Sequence, residues 1–211
     1  MKIQSITNTN FSSLKYPKKP FKLNTSKGCV SCCEIDSLKS IDSKNLKQLG
    51  EFFLDNFAAS SSHPFWKLCQ KKNKFFNKHV YNDYLRNDIC KKIKNNLINP
   101  DSTIMIGKNN KNEIVAAIVT TPFEHKENSL YIDMLAVSKK YRGNHIAEKF
   151  IEEVCKASMQ EYQETFLVSY KEADAFYKKL GFNDIKENWL IKILRKERKD
   201  YPKYASFLKK N

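Results

Sequence analysis

The sequence predicts a single α/β domain, and three observations carry that reading. Apolar residues recur at helical spacing as far as residue 97, after which "STIMIG" at 102–107 opens a series of β-rich runs. The polar stretch "KNNKN" at 108–112 reads as a hairpin turn between two of those runs. Beyond residue 137, helix and strand patterns alternate. The chain has 211 residues, enough for one packed domain and short of what two usually need. No apolar run approaches the ~20 residues of a membrane helix.

In chain order, "VSCCEI" at 30–35 reads as a first short strand. "SIDSKNLKQLGEFFLDNF" at 40–57 reads as a helix, with Asp42 or Ser43 as N-cap and Leu46, Leu49, Phe53 and Phe57 on one face. "SSSHPFW" at 60–66 is a loop. Phe76, Val80, Tyr84, Ile89, Ile93 and Leu97 mark a second helix, stopped by Asn99 and Pro100. Strands follow in "STIMIG", in "EIVAAIVTTPF" at 113–123 and in "SLYIDMLAV" at 129–137. Ile146, Phe150, Ile151, Val154 and Met159 trace one face of a helix over 145–162, and "TFLVSY" at 165–170 is a strand again. "EADAFYKKLG" at 172–181 makes a short helix with Gly181 as a left-handed cap, and "FNDIKENWLIKIL" at 182–194 closes with one or two strands. The order is β-α-α-β-β-β-α-β-α-β.

The formal charge of +15 belongs to the ends. Residues 1–33 hold six lysines and no acid, and residues 192–211 hold eight Lys or Arg against Glu197 and Asp200. Residues 34–191 are therefore close to neutral, which argues against a basic groove through the domain. A nucleic-acid-binding module is the least favoured function class. The ends suit an acidic partner, or they are solvated tails with no partner. Residues 1–29 are expected as a basic, Ser/Thr/Asn-rich, flexible leader, 30–195 as the domain and 196–211 as a basic tail. The leader lacks the apolar core of a secretory signal; an exported-effector or organelle-targeting leader and a plain tail both remain open.

Of six cysteines, Cys69, Cys90 and Cys155 fall in helix-like apolar patterns, which suits free thiols in a reducing, cytoplasmic setting. Cys29, Cys32 and Cys33 have the spacing of half a zinc site, but His63, His79, His125 and His145 are isolated, so no metal is expected.

The chemistry is concentrated in "YIDMLAVSKKYRGNHIA" at 131–147, where an apolar strand leaves through positive charge and a glycine into a helix. A helix starting near Asn144 or His145 presents unpaired N–H groups and the positive end of its dipole, a place for a phosphate. Gly143 permits close backbone approach and Arg142 adds a permanent charge. Read alone, the same residues are equally a plain connection. Tyr177, on the helix after strand 165–170, can face the same crevice, and Phe176 with Tyr177 can equally be core aromatics.

Together, "LAVSKKYRGNHIAEKF" at 135–150 and "ADAFYKKLGF" at 173–182 resemble two segments of the GNAT superfamily of acyl-CoA-dependent N-acyltransferases, the pattern L-x-V-x-x-x-x-R-G-x-G-x-G/A and the pattern A-x-x-x-Y-x-K-L-G-F. The likeness covers about residues 30–195 in element order. It implies a mixed, mostly antiparallel central sheet flanked by helices, with the fourth and fifth strands splayed so that the pantetheine arm of CoA lies along the fourth as an added strand would. By the same resemblance, Leu135, Ala136 and Val137 contact pantetheine, and Arg142, Gly143, Asn144, His145, Ile146 and Ala147 hold the pyrophosphate. Tyr177 protonates the departing thiolate, and Asp133 is the base that frees the amine, provided it is partly buried; a strand acid satisfied by hydrogen bonds is the other reading of Asp133. The chain departs from the pattern at His145, where the family has glycine, and at Tyr170, where it often has asparagine. The His145 side chain either crowds the pyrophosphate, which predicts weak CoA affinity, or donates to it through its ring, and Tyr170 removes one polar contact to pantetheine that the resemblance implies.

The expected activity is acetyl-CoA-dependent N-acetylation of a primary amine, on a small molecule or on a protein lysine or N-terminus, in a ternary complex. The acceptor site is expected from residues 50–80 and the loop 121–129, with Phe57, Phe65 and Trp66 as candidate walls. The alternative is a catalytically degenerate interaction protein of the same fold, using its basic ends.

Overall fold

The computed structural model describes residues 20–35, 41–58, 78–99, 101–158, 162–197 and 206–210. The loop at 60–66 with Phe65 and Trp66, Cys69, Phe76 and Met159 lie outside them, as does the side chain of Phe57.

The sheet begins earlier than the composition suggests. β1 (Phe21–Thr25) and β2 (Gly28–Ile35) form a hairpin whose turn is Ser26–Lys27, so residues 21–29 belong to the sheet and not to a flexible leader. Phe21 and Leu23 alternate with exposed Lys22 and Asn24, the two-residue period of a half-buried strand. Gly28 takes φ +106°, a conformation open to glycine at low cost. The Thr25 hydroxyl ties the turn by donating to the Gly28 carbonyl at 2.6 Å.

α1 (Ser43–Ala58) is capped by Asp42, whose Oδ1 accepts from the Asn45 N–H at 2.6 Å. α2 (Lys78–Ile98) packs against it at Gly50, where an added Cβ would stand 2.5 Å from Cys90 Sγ. β3 (Thr103–Lys108), β4 (Ile114–Pro122) and β5 (Ser129–Val137) form an antiparallel meander. A 3-10 turn at Lys139–Tyr141 leads to α3 (Ile146–Ser158), then β6 (Glu164–Ser169) and α4 (Lys171–Lys179), which ends at Gly181 with φ +89°.

The C-terminal part differs from expectation. "FNDIKENWLIKIL" supplies only the two-residue β7 (Asn183–Asp184) and then α5 (Asn188–Glu197), because Leu190 and Leu194 stand one helical turn apart and bury together with Ile185. The stretch expected as a basic tail contains β8 (Ser206–Lys210), which enters the sheet between β6 and β7. The strand order is β1-β2-β3-β4-β5-β6-β8-β7, with β5–β6 the one parallel pair among the described residues. The mixed, mostly antiparallel sheet is as the sequence implies.

Two layers cover the sheet. α3 lays Ile146, Phe150, Ile151 and Val154 on one face, with the Phe150 ring over Gly107, where an added Cβ would be 3.3 Å from it. Fully burying such a side chain contributes about 1.5–3 kcal/mol. On the other face α1 and α2 cover β2–β5, and α5 covers Tyr131, Phe166 and Phe207 farther along. Between α2 and α5 that face has a gap.

Candidate active site

β5 changes partners halfway along. Its pairing with β6 runs from Ser129↔Glu164 to Ile132↔Leu167 and stops there, while β5 continues to Val137 and β6 to Ser169. The two strands therefore diverge into a cleft. A bulge sits at the same point: Thr120 pairs with Ile132 and Val119 with Met134, so Asp133 is an extra residue opposite none on β4. The bulge reverses the facing of β5. Leu130 and Ile132 bury under α3, and after the bulge it is Leu135 and Val137 that pack there, while Met134 and Ala136 turn to α1 and α2.

The turn after β5 is fixed by its own hydrogen bonds. Ser138 N–H donates to the Val115 carbonyl at 2.8 Å, and the Arg142 Nε–H folds back to the Val137 carbonyl at 3.1 Å. Gly143 has φ +78° with open space around its α-carbon. Asn144 accepts on Oδ1 from the backbone N–H and hydroxyl of Ser26, at 2.9 and 2.7 Å, and donates to the Tyr141 carbonyl at 3.0 Å. The β1–β2 hairpin thus braces the turn, a contact 118 positions away in sequence that no local pattern announces. The first intrahelical bond of α3 is Lys149 N–H to the His145 carbonyl, so the N–H groups of Ile146, Ala147 and Glu148 have no intrahelical partner.

His145 adopts φ +57°, the left-handed backbone that a glycine takes freely and that costs other residues about 1–2 kcal/mol. Its ring is exposed and is bonded through Nδ1 to the Glu148 carboxylate. Sequence reasoning missed Glu148. Its signal was the capping-box spacing, an acid three residues after the cap, which sets a negative charge in the helical turn where an anion would bind.

Tyr177 lies on α4, partly buried, edge-on to Phe176 and Phe182 with ring centroids 5.1 and 5.8 Å away. Burial pushes its hydroxyl up to about 12, so it holds its proton at neutral pH. It packs on the same apolar layer as Leu135 and Val137. Tyr170 occupies the N-cap of α4 and makes no side-chain cap bond.

Asp133 opens to the other side. A cavity of about 400 Å³ fills the gap between α2 and α5, with Tyr131 and Asp133 on its floor and Leu194 at one wall. Asp133 is partly buried and accepts on Oδ2 from Asn96 Nδ2 at 3.3 Å. Asn95 on the same helix, and Asn99 and Ser102 just beyond its end, also line the cavity. Residues 121–125, from the end of β4 into the loop after it, also line the cavity. The asparagines of α2 were missed; "KNNLIN" at 94–99 held the only hint, a polar face at a helix end. Along β5, Asp133 and Val137 are about 13 Å apart at strand rise. The strand is thus the link between cavity and turn.

Among the described residues no group of His, Cys, Asp or Glu is placed to hold a metal ion, and no helix is long and apolar enough to cross a membrane. Cys32, on β2, is buried, and burial, then the neighbouring Cys33 and Cys29, pushes its thiol up to about 12.

Residues 65–182, more than half of the chain, match the model of the acetyltransferase (GNAT) family. No curated protein matches the chain significantly in sequence. Among solved structures the chain is similar to PaiA N-acetyltransferase from Thermoplasma acidophilum in complex with coenzyme A, at 12% identity and TM-score 0.57, over 85% of this chain and 98% of that one. It is similar to an acetyltransferase of the GNAT family from Staphylococcus aureus at 20% identity and TM-score 0.55, over 85% and 98%. The GNAT domain of S. lividans PAT aligns at 8% identity and TM-score 0.57, over 90% of this chain and 96% of that domain.

Proposed function

The chain belongs to the GNAT family of acetyltransferases, and from that membership we propose that it transfers an acetyl group from acetyl-CoA to a primary amine by direct attack in a ternary complex. The observation that supports this most is the divergence of β5 from β6 immediately after Ile132, coinciding with the bulge at Asp133. It leaves the β6-facing backbone of Leu135, Ala136 and Val137 without a strand partner among the described residues, and that edge suits the amide groups of pantetheine. The pyrophosphate goes to the turn from Arg142 through Gly143, Asn144 and His145 to Ile146 and Ala147. Asn144 acts there by bracing the loop, and its neighbours act through their N–H groups.

The acceptor enters from the cavity as an ammonium and loses a proton to Asp133, directly or through a water. The nitrogen lone pair attacks the thioester carbonyl, the C–N bond forms and the C–S bond breaks. As the tetrahedral adduct collapses, the nitrogen sheds its second proton to water, and the departing sulfur takes its proton from Tyr177, which is reprotonated from solvent. With the hydroxyl near 12 and a thiol near 8.5 that transfer is uphill, so Tyr177 acts first as a hydrogen-bond donor to the charge growing on sulfur and gives up its proton only as the C–S bond breaks. Removing such a group lowers rates by about 10²–10⁴-fold. The test is release of CoA thiol with a panel of amines, in the parent and in Tyr177→Phe. An unchanged rate in the variant sinks the acid role.

A second reading, a non-catalytic protein of this fold, is favoured by Glu148 and His145 at the turn and by the Arg142 side chain bonded back to β5. It predicts no acetyl-CoA binding. Free thiols at Cys29, Cys32, Cys33, Cys90 and Cys155 suit a reducing, cytoplasmic setting in either case.

A further inference from the structure

The acceptor cavity is lined by groups that both give and take hydrogen bonds. Asn95, Asn96 and Asn99 each present a carboxamide, and Ser102 and Thr121 add hydroxyls, around the Asp133 carboxylate. Its volume, about 400 Å³, is in the range of small-molecule sites. One group has a specific deficit: the Ser102 residue is 3% exposed, and its Oγ has no hydrogen-bond partner among the described residues. A buried hydroxyl without a partner is costly unless a ligand or water completes it. Asn96 is already engaged with Asp133, which fixes the carboxylate in the floor.

From this lining we propose that the acceptor is a small hydroxylated primary amine, with its ammonium at Asp133 and its hydroxyls on Asn95, Asn99 and Ser102. The inference rests on the acetyl-transfer reading above. Hydroxyls suit the site because each can donate to a carboxamide oxygen and accept from its NH₂. An alkyl or aryl amine of the same size would displace water from these groups without replacing its hydrogen bonds, gaining only contact with Phe123, Tyr131 and Leu194.

The test uses two matched pairs with the full-length protein and acetyl-CoA: glucosamine against cyclohexylamine, and 3-amino-1,2-propanediol against butylamine. The hydroxylated member of each pair is expected to have kcat/KM about 100-fold higher. Ser102→Ala should lower the ratio of kcat/KM for glucosamine to that for cyclohexylamine about tenfold, and leave thermal stability equal or higher, since the hydroxyl has no partner to lose. Equal or faster turnover of the plain amines overturns the acceptor class while acetyl transfer stands. An unaltered ratio in Ser102→Ala overturns the role of that hydroxyl. If no amine of either pair is acetylated although acetyl-CoA binds, this inference fails and the acetyl-transfer reading stands; absence of acetyl-CoA binding overturns that reading as well.

Discussion

Glu164→Gln should loosen the loop that walls the cavity, and the size of the effect follows from the charges around it. Glu164, at the start of β6, bonds Lys126 through Oε2 and Lys209 through Oε1, the latter at 3.0 Å, and Lys209 reaches Glu187 at 2.7 Å. The four side chains join the loop before β5, β6, β8 and the approach to α5. The Glu164 side chain is 13% exposed and Lys209 20%, so the network lies between a surface pair, worth about 0–1 kcal/mol, and a buried one, costing about 3–5 kcal/mol when broken. Neutralising Glu164 leaves two lysines to one carboxylate, and a loss of about 1–2 kcal/mol is expected in urea unfolding at pH 7. Burial alone would raise the Glu164 carboxyl, but hydrogen bonds from Lys126 and Lys209 outweigh it and hold it below the usual range, while Lys209 holds Glu187 down. Groups so lowered stabilise the fold above their unfolded pKa, about 4.3, and lose that contribution as pH falls through the folded values. The difference between parent and variant should therefore shrink below about pH 4. A loss under about 0.5 kcal/mol at pH 7, or one that persists undiminished at pH 3, refutes the reasoning.

Gly50→Ala should destabilise by about 1–2 kcal/mol despite its better helix propensity, because the new methyl meets Cys90 Sγ; adding Cys90→Ala should recover most of the loss in thermal unfolding. Glu148→Gln removes a negative charge from the first turn of α3, and acetyl-CoA should bind about threefold tighter at low salt, with the gain fading at high salt. Because burial raises the Tyr177 hydroxyl to about 12, it stays protonated where an ordinary tyrosine ionises; kcat should show no alkaline fall attributable to it up to about pH 10. A fall with a midpoint near 9 in the parent, absent in Tyr177→Phe, contradicts that.

The sequence was most legible where one element decides its own shape. "SLYIDMLAV" is β5 to the residue, Gly181 takes the left-handed cap, and Asp42 caps α1. It was least legible where a partner decides. The bulge at Asp133 exists only in register with β4, and the Ser26–Asn144 brace only because the hairpin lies beside the turn. β1 was hidden by the Lys- and Thr-rich composition around it, although "FKLNT" alternates and a turn ending in Gly28 follows. "NWLIKIL" misled through its β-branched and aromatic residues, whereas Leu190 and Leu194 at helical spacing give the face that is buried. For the site, the glycine-to-histidine change at 145 was visible, and its consequence depends on Glu148, which the motif alone does not weigh.

The central claim is that the cleft between β5 and β6 and the turn from Arg142 to Ala147 still hold a nucleotide-linked thioester. Calorimetric titration of the full-length protein with acetyl-CoA, without an acceptor, tests it most directly. The account predicts one-to-one binding in the micromolar range; no detectable heat at concentrations well above that would contradict it and leave the fold without its cofactor chemistry.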